Sequence, residues 1–183
     1  DCSSSGYSYP VEQIKNLPQL LDFAPLSLRG AAAAMQLIFE QLFALGTPCG
    51  EAGRLWVLRL GLYELTCPKE QADDWVWLAD HTIQLDSVQC LLVLGIRLRD
   101  WEQNHRPLQH HDLHCLLLEP GVESTGEVVH EQLQRVVQRT GVPRAILTDG
   151  GRNLHKGIGL FRSEPPQVSH NSDIVHKTAL CLK

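Results

Sequence analysis

What this sequence lacks narrows it first. Its six cysteines (Cys2, Cys49, Cys67, Cys90, Cys115 and Cys181) include no C-x-x-C pair, which excludes the usual zinc-finger and thiol-redox spacings. Several sit inside apolar runs and read as reduced, buried thiols of a cytosolic protein. No apolar run approaches the ~18 residues that a membrane span needs, and no signal peptide is visible. Positive charge is in deficit too: 16 Lys and Arg against 21 Asp and Glu give a net charge of −5. A chain of this balance has no general attraction for nucleic acid, so any contact with DNA must come from a local patch. Gly150-Gly151 lacks the Lys-Ser/Thr ending of a phosphate loop and reads as a tight turn.

What is present suffices for a real core. With 183 residues, 43% of them hydrophobic, the length fits one domain with a small appended one. The chain starts at Asp1 and stops at Lys183 inside a helical pattern, so a fragment of a longer protein is expected. Residues 1–70 read as helical. Positions 11–21 form a short helix broken by Pro18. Ser27 caps a long helix over 28–45, closed by Gly46. A turn at Thr47-Pro48-Cys49-Gly50 leads to a second helix over 51–60, closed by Gly61, with Trp56 in the core and Arg54 and Arg59 on an outer face. Two helices joined by a short turn fit a helix-turn-helix DNA reader and fit plain packing equally well.

From residue 71 the pattern changes to strands. The expected strands cover 75–80 (extending to Ile83), 90–98, 113–118, 144–148 and 167–173. Helices are expected over 126–140, 153–161 and 174–183. The resulting order, β-β-β-α-β-α-β-α, is an antiparallel meander followed by a parallel crossover, the order of the ribonuclease H-like fold. His105, His110, His111 and His114 read as a solvated loop, Glu119 as a turn residue before Pro120-Gly121, and Asp73, Asp74 and Asp86 as surface acids.

Two of the apolar runs end in an aspartate. Trp75-Val76-Trp77-Leu78-Ala79 delivers Asp80, and Ala145-Ile146-Leu147-Thr148 delivers Asp149. Acids at strand ends reach the rim of a sheet, where ligands of α/β folds sit. Each alone fits an ordinary turn cap. On neighbouring strands, however, two carboxylates side by side call for a cation between them, and with divalent ions they make a phosphoryl-transfer site.

These stretches resemble bacterial DDE-type transposases of insertion sequences. The likeness is carried by Trp75-Val76-Trp77-Leu78-Ala79-Asp80-His81-Thr82-Ile83-Gln84, Cys90-Leu91-Leu92-Val93-Leu94-Gly95-Ile96 and Ile146-Leu147-Thr148-Asp149-Gly150-Gly151. Lys156-Gly157-Ile158 and Asp173-Ile174-Val175-His176-Lys177-Thr178-Ala179 extend it. The resemblance implies three carboxylates holding two Mg2+ or Mn2+ ions that cut an element's DNA ends and join them to target DNA. It assigns Asp80 as the bridging ligand and Asp149 as a second one. The third acid is either Asp173 or a glutamate beyond Lys183, because residues 174–183 contain no acid. The second option leaves the isolated chain inactive. DNA contacts are expected from Arg54, Arg59, His176 and Lys177, with no organic cofactor. The family also implies a homo-oligomer when full length, no membrane, and a cytoplasmic, nucleoid-associated location. Three rivals stand beside it: a ribonuclease H-like nuclease that cuts without joining, a non-catalytic DNA-binding remnant, and a decay product with no function.

Overall fold

The computed structural model describes residues 9–43, 46–85, 88–104, 106–121, 125–149, 151–163 and 167–172. The chain divides into two compact units, Asp1–Tyr63 and Glu64–Lys183.

In the first unit, α1 (Val11–Phe23), α2 (Leu28–Phe43) and most of α3 (Gly50–Thr66) enclose a small core of Leu17, Ala31, Met35 and Trp56. Tyr9 meets Trp56 edge to face at 5.2 Å, so Trp56 is core, as expected. Ser27 caps α2, its Oγ accepting from the Gly30 N–H at 3.1 Å. Two expected breaks are absent. Helix α1 runs through Pro18: the proline forfeits its own N–H bond and crowds the carbonyl four residues back, and the helix continues with Leu17 beside it fully buried. Helix α3 continues five residues past Gly61. Gly61 is exposed, and a Cβ there would meet nothing, so it only lowers helix propensity by about 1 kcal/mol and does not end the helix.

The second unit is built on a five-stranded sheet of order β3-β2-β1-β4-β5. Its strands are β1 (Trp75–Leu85), β2 (Val88–Arg97), β3 (His114–Gly121), β4 (Ala145–Thr148) and β5 (Ser169–Ser172). The first three run antiparallel, and β4 and β5 run parallel to β1. Strand order and direction together are those of the ribonuclease H-like fold. Helix α5 (Gly126–Thr140) carries the chain from β3 to β4, and α6 (Arg152–Arg162) carries it from β4 to β5.

Alternation fixes which side of the sheet is covered. Trp75, Trp77 and Ala79 are buried and share a cluster with Val129, Leu133 and Val136 of α5 and Leu154, Ile158 and Phe161 of α6. Val76, Leu78 and Asp80, of opposite parity, are only half-buried, as the period of two requires. Thr125 caps α5, its Oγ1 accepting from the Val128 N–H at 3.4 Å. Gly141 closes the same helix at φ 87°, with its N–H bonded to the Val137 carbonyl at 2.8 Å. A Cβ at Gly141 would lie 2.7 Å from the Ala72 carbonyl oxygen, so the left-handed conformation and the close approach both select glycine.

Three expectations need correction here. The segment after β2 is not all loop: α4 (Leu98–Asn104) occupies its first half and a short 3-10 turn, His110–Asp112, its second. His114 belongs to β3, its ring edge-on to Trp75 at 5.6 Å, so the four histidines do not share one solvated loop. Asp74 is not a plain surface acid. Its Oδ1 accepts from Arg97 Nε at 2.6 Å and its Oδ2 from the Arg99 N–H at 3.0 Å. The Arg97 side chain, 5% exposed, also pairs with Glu70 and stacks on Trp75. Residues 174–183, expected to form a last helix, lie outside the described residues. Among the described residues no helix is long and apolar enough to cross a membrane.

Candidate functional site

The site is built by register. Strands β1 and β4 pair in parallel from Val76↔Ala145 to Ala79↔Thr148. Asp80 and Asp149 are the next residue on each strand, so they leave the pairing side by side, with strands about 4.8 Å apart. Both have the parity of Leu78 and Leu147, away from the α5–α6 side. On its other flank Asp80 faces Leu92 of β2. A cleft of about 690 Å³ opens at this rim, lined by Leu78, Asp80, Leu147, Asp149, Asn171 and Ser172 among others. Leu78, Ala79 and Leu147 form the apolar part of its wall, and Asp80, Thr148, Asp149, Asn171 and Ser172 the polar part.

Local geometry orients one of the acids. Asp149 Oδ1 accepts the Gly151 N–H at 3.1 Å, an Asx turn that starts α6. The turn role and the rim position therefore coexist in one residue. Behind the rim, the buried Thr148 shares a hydrogen bond with His170 Nε2 at 3.1 Å. The His155 ring on α6 meets His170 edge to face at 4.9 Å.

His81, not singled out from the sequence, follows Asp80 on β1. Burial pushes its imidazole below the usual pKa, while the nearby Asp80 and Asp149 carboxylates pull the other way. The net effect favours the neutral ring. Its sequence signal was only its place directly after Asp80. His155 and His170 gave no signal either, since they meet only through the packing of α6 on β5.

Other expected positions are distributed as follows. Asp173, His176 and Lys177 lie outside the described residues, as do Asp86, His105, Cys2 and Cys181. Arg54 is exposed on α3 and bound by Glu51 at 2.6 Å, and Arg59 is exposed on the same helix. Asp73 is exposed. Glu119 is not a turn residue: β3 continues to Gly121, and the Glu119 carboxylate binds Arg135 at 2.6 Å, two strands away from β1. Cys49, Cys67, Cys90 and Cys115 are free thiols, of which Cys90 is buried.

Hard oxygen donors suit Mg2+ or Mn2+, and the Asp80–Asp149 pair supplies two such groups. Among the described residues no cluster of three His, Cys, Asp or Glu side chains is placed to hold a metal. The pair fits a divalent ion as part of a ligand set.

No protein-family model matches the chain, and no curated protein matches it. Among solved structures it is similar to the HTLV-2 integrase catalytic core domain in complex with magnesium. To the trimeric form it is 14% identical over 61% of this chain and 68% of that one, with a TM-score of 0.38. For the dimeric form the values are 13%, 57%, 63% and 0.37. It is also similar to the simian T-cell lymphotropic virus intasome in complex with PP2A regulatory subunit B56 gamma, at 12% identity and a TM-score of 0.38, covering 86% of this chain and 51% of that one. The fold assignment rests on this chain's own strand order and directions.

Proposed function

We propose that this chain is part of a metal-dependent polynucleotidyl transferase, of the kind that moves a bacterial insertion sequence. The supporting observation is the parallel register Ala79↔Thr148, after which Asp80 and Asp149 emerge side by side at the cleft. In this reading the two carboxylates hold divalent ions, and a third acid, Asp173 or a residue beyond Lys183, completes the set. Bound metal supplies an activated oxygen nucleophile and neutralises charge on the leaving oxygen of a phosphodiester. The chain's own groups do the rest. Asp80 and Asp149 would hold the ions, and the Gly151 N–H orients Asp149 Oδ1. Leu78 and Leu147 restrict water.

The partner is DNA, and the helical unit is the second place to meet it. Of its two outer arginines, Arg59 is the better phosphate contact, because Glu51 already engages Arg54. Homo-oligomerisation and a cytoplasmic, nucleoid-associated location belong to the same reading. The second reading is a non-catalytic DNA-binding remnant of a transposase.

Calorimetric titration of Mn2+ into the chain, beside Asp80→Asn and Asp149→Asn, tests the site. Saturable binding in the parent and its loss in both variants is the expected result. A parent that binds no Mn2+, or variants that bind as the parent does, would remove the metal site. Strand-transfer products from a labelled duplex, as opposed to cuts alone, would separate a transposase from a nuclease.

A further inference from the structure

Asp149 stands one residue beyond the last paired position of β4, so its placement depends on how firmly Thr148 is held. Strand β4 is only four residues long, and so is its outer neighbour β5. Their pairing runs Ala145↔Ser169, Ile146↔His170, Leu147↔Asn171 and Thr148↔Ser172. On its other side β4 pairs with β1 over the same four residues, so the two ladders hold Thr148 laterally; the exit of the chain from Thr148 towards Asp149 takes a further tie.

The side chains supply it. Thr148 is 3% exposed, and its Oγ1 lies 3.1 Å from His170 Nε2. That bond is diagonal: it crosses from the end of β4 to the second residue of β5, so it resists both sliding and splaying of the two strands. The ring of His155, an exposed residue in the first turn of α6, meets His170 edge-on at 4.9 Å. Helix α6 begins just after Gly151, and the Gly151 N–H binds Asp149 Oδ1 at 3.1 Å. The contacts therefore close a ring: Asp149 to Gly151, along α6 to His155, across to His170, back to Thr148, and by one peptide bond to Asp149. The carboxylate is fixed from both ends of that ring.

We propose that His170, in contact with His155, is a positioning residue for Asp149: its hydrogen bond to Thr148 holds the end of β4 and so sets the affinity of the rim for divalent metal. This rests on the metal-site reading above. Partners that orient a metal's ligands typically change affinity by 10- to 100-fold when removed.

The experiment is Mn2+ calorimetry on the full chain, with melting curves run alongside so that every titration is made on folded protein. His170→Leu removes the bond and keeps the bulk, and Thr148→Val removes only the hydroxyl. Each is expected to weaken Mn2+ binding about tenfold. The double variant should be no weaker than either single, because both delete one shared bond. His170→Gln, which presents an amide near the position of Nε2, should recover most of the affinity. A purely structural tie would lower the melting temperature of His170→Leu and Thr148→Val and leave Mn2+ affinity at the parent value, and that outcome overturns the proposal. Additive losses in the double variant would overturn it as well. A parent that binds no Mn2+ would instead sink the metal site itself, and the brace with it. A binding parent beside variants that bind equally well would sink the brace alone.

Discussion

Asp74 carries more of this fold than its place in a polar linker suggests. It accepts from Arg97 and from the Arg99 backbone at the foot of the sheet, where β1 begins. Burial alone would raise its pKa. The Arg99 N–H and the Arg97 guanidinium outweigh that and hold the carboxyl below its usual 3.8. A folded pKa below the unfolded one stabilises at higher pH: the contribution is complete above the usual aspartate value and fades as pH falls through the lower, folded one. Asp74→Asn leaves the buried Arg97 with Glu70 and the Trp75 face. The expected cost at neutral pH is about 3 kcal/mol, the lower end for removing one partner of a buried pair. Melting curves of parent and variant should therefore lie apart at neutral pH and converge in acid below the aspartate range. Curves that stay equally far apart in acid would show that charge is not what Asp74 contributes.

At the scale of elements, α6 contains a sign test within two residues. Gly157 sits where α6 crosses α5. A Cβ there would stand 2.5 Å from Val129 Cγ1 and 2.8 Å from the Gly126 carbonyl oxygen. Backbone cannot yield as a side-chain tip does, so Gly157→Ala should destabilise by about 2–3 kcal/mol. Gly159 is exposed and has nothing within reach of a Cβ. Gly159→Ala should stabilise by about 0.5–1 kcal/mol, the helix propensity gained. Chemical denaturation of the two variants checks both signs, and equal effects would argue against the close α5–α6 crossing.

The same elements explain what could be read without coordinates. Helix α5 was legible to the residue, because its apolar stripe ends in Gly141 and begins after a Thr cap. That the strands bearing Asp80 and Asp149 are neighbours was legible from the order of the apolar runs. Helix α4 was not: none of its residues is buried, so it has no stripe to betray it, and its start is held instead by the Leu98 and Arg99 N–H groups on Asp74. The extra turns of α3 were hidden by Gly61, a stop signal that an exposed helix position tolerates. The histidines behind the rim were hidden for a different reason. His155 and His170 are 15 residues apart in sequence, and nothing in either segment marks them as partners before α6 folds onto β5.

For the molecule as a whole, charge opposes the partner that the site invites. The chain carries −5, and the rim adds two carboxylates where a DNA backbone would approach. Without metal, those acids repel phosphate. In the proposed reading bound metal would reverse the local sign, and the rim would attract phosphate. Anisotropy of a labelled duplex should therefore show weak binding in EDTA and binding at least about tenfold tighter in Mn2+, decreasing as salt is raised. The gain with Mn2+ should vanish in Asp80→Asn and in Asp149→Asn, even though each variant is less acidic and any metal-free binding should rise slightly. That opposite movement separates the two readings. A catalytic rim predicts that removing an acid helps DNA binding in EDTA and abolishes the gain in Mn2+. A DNA-binding remnant, with its contacts on the helical unit, predicts an affinity indifferent to both substitutions and to the metal. Arg59→Ala would then be the variant that weakens binding in both solutions.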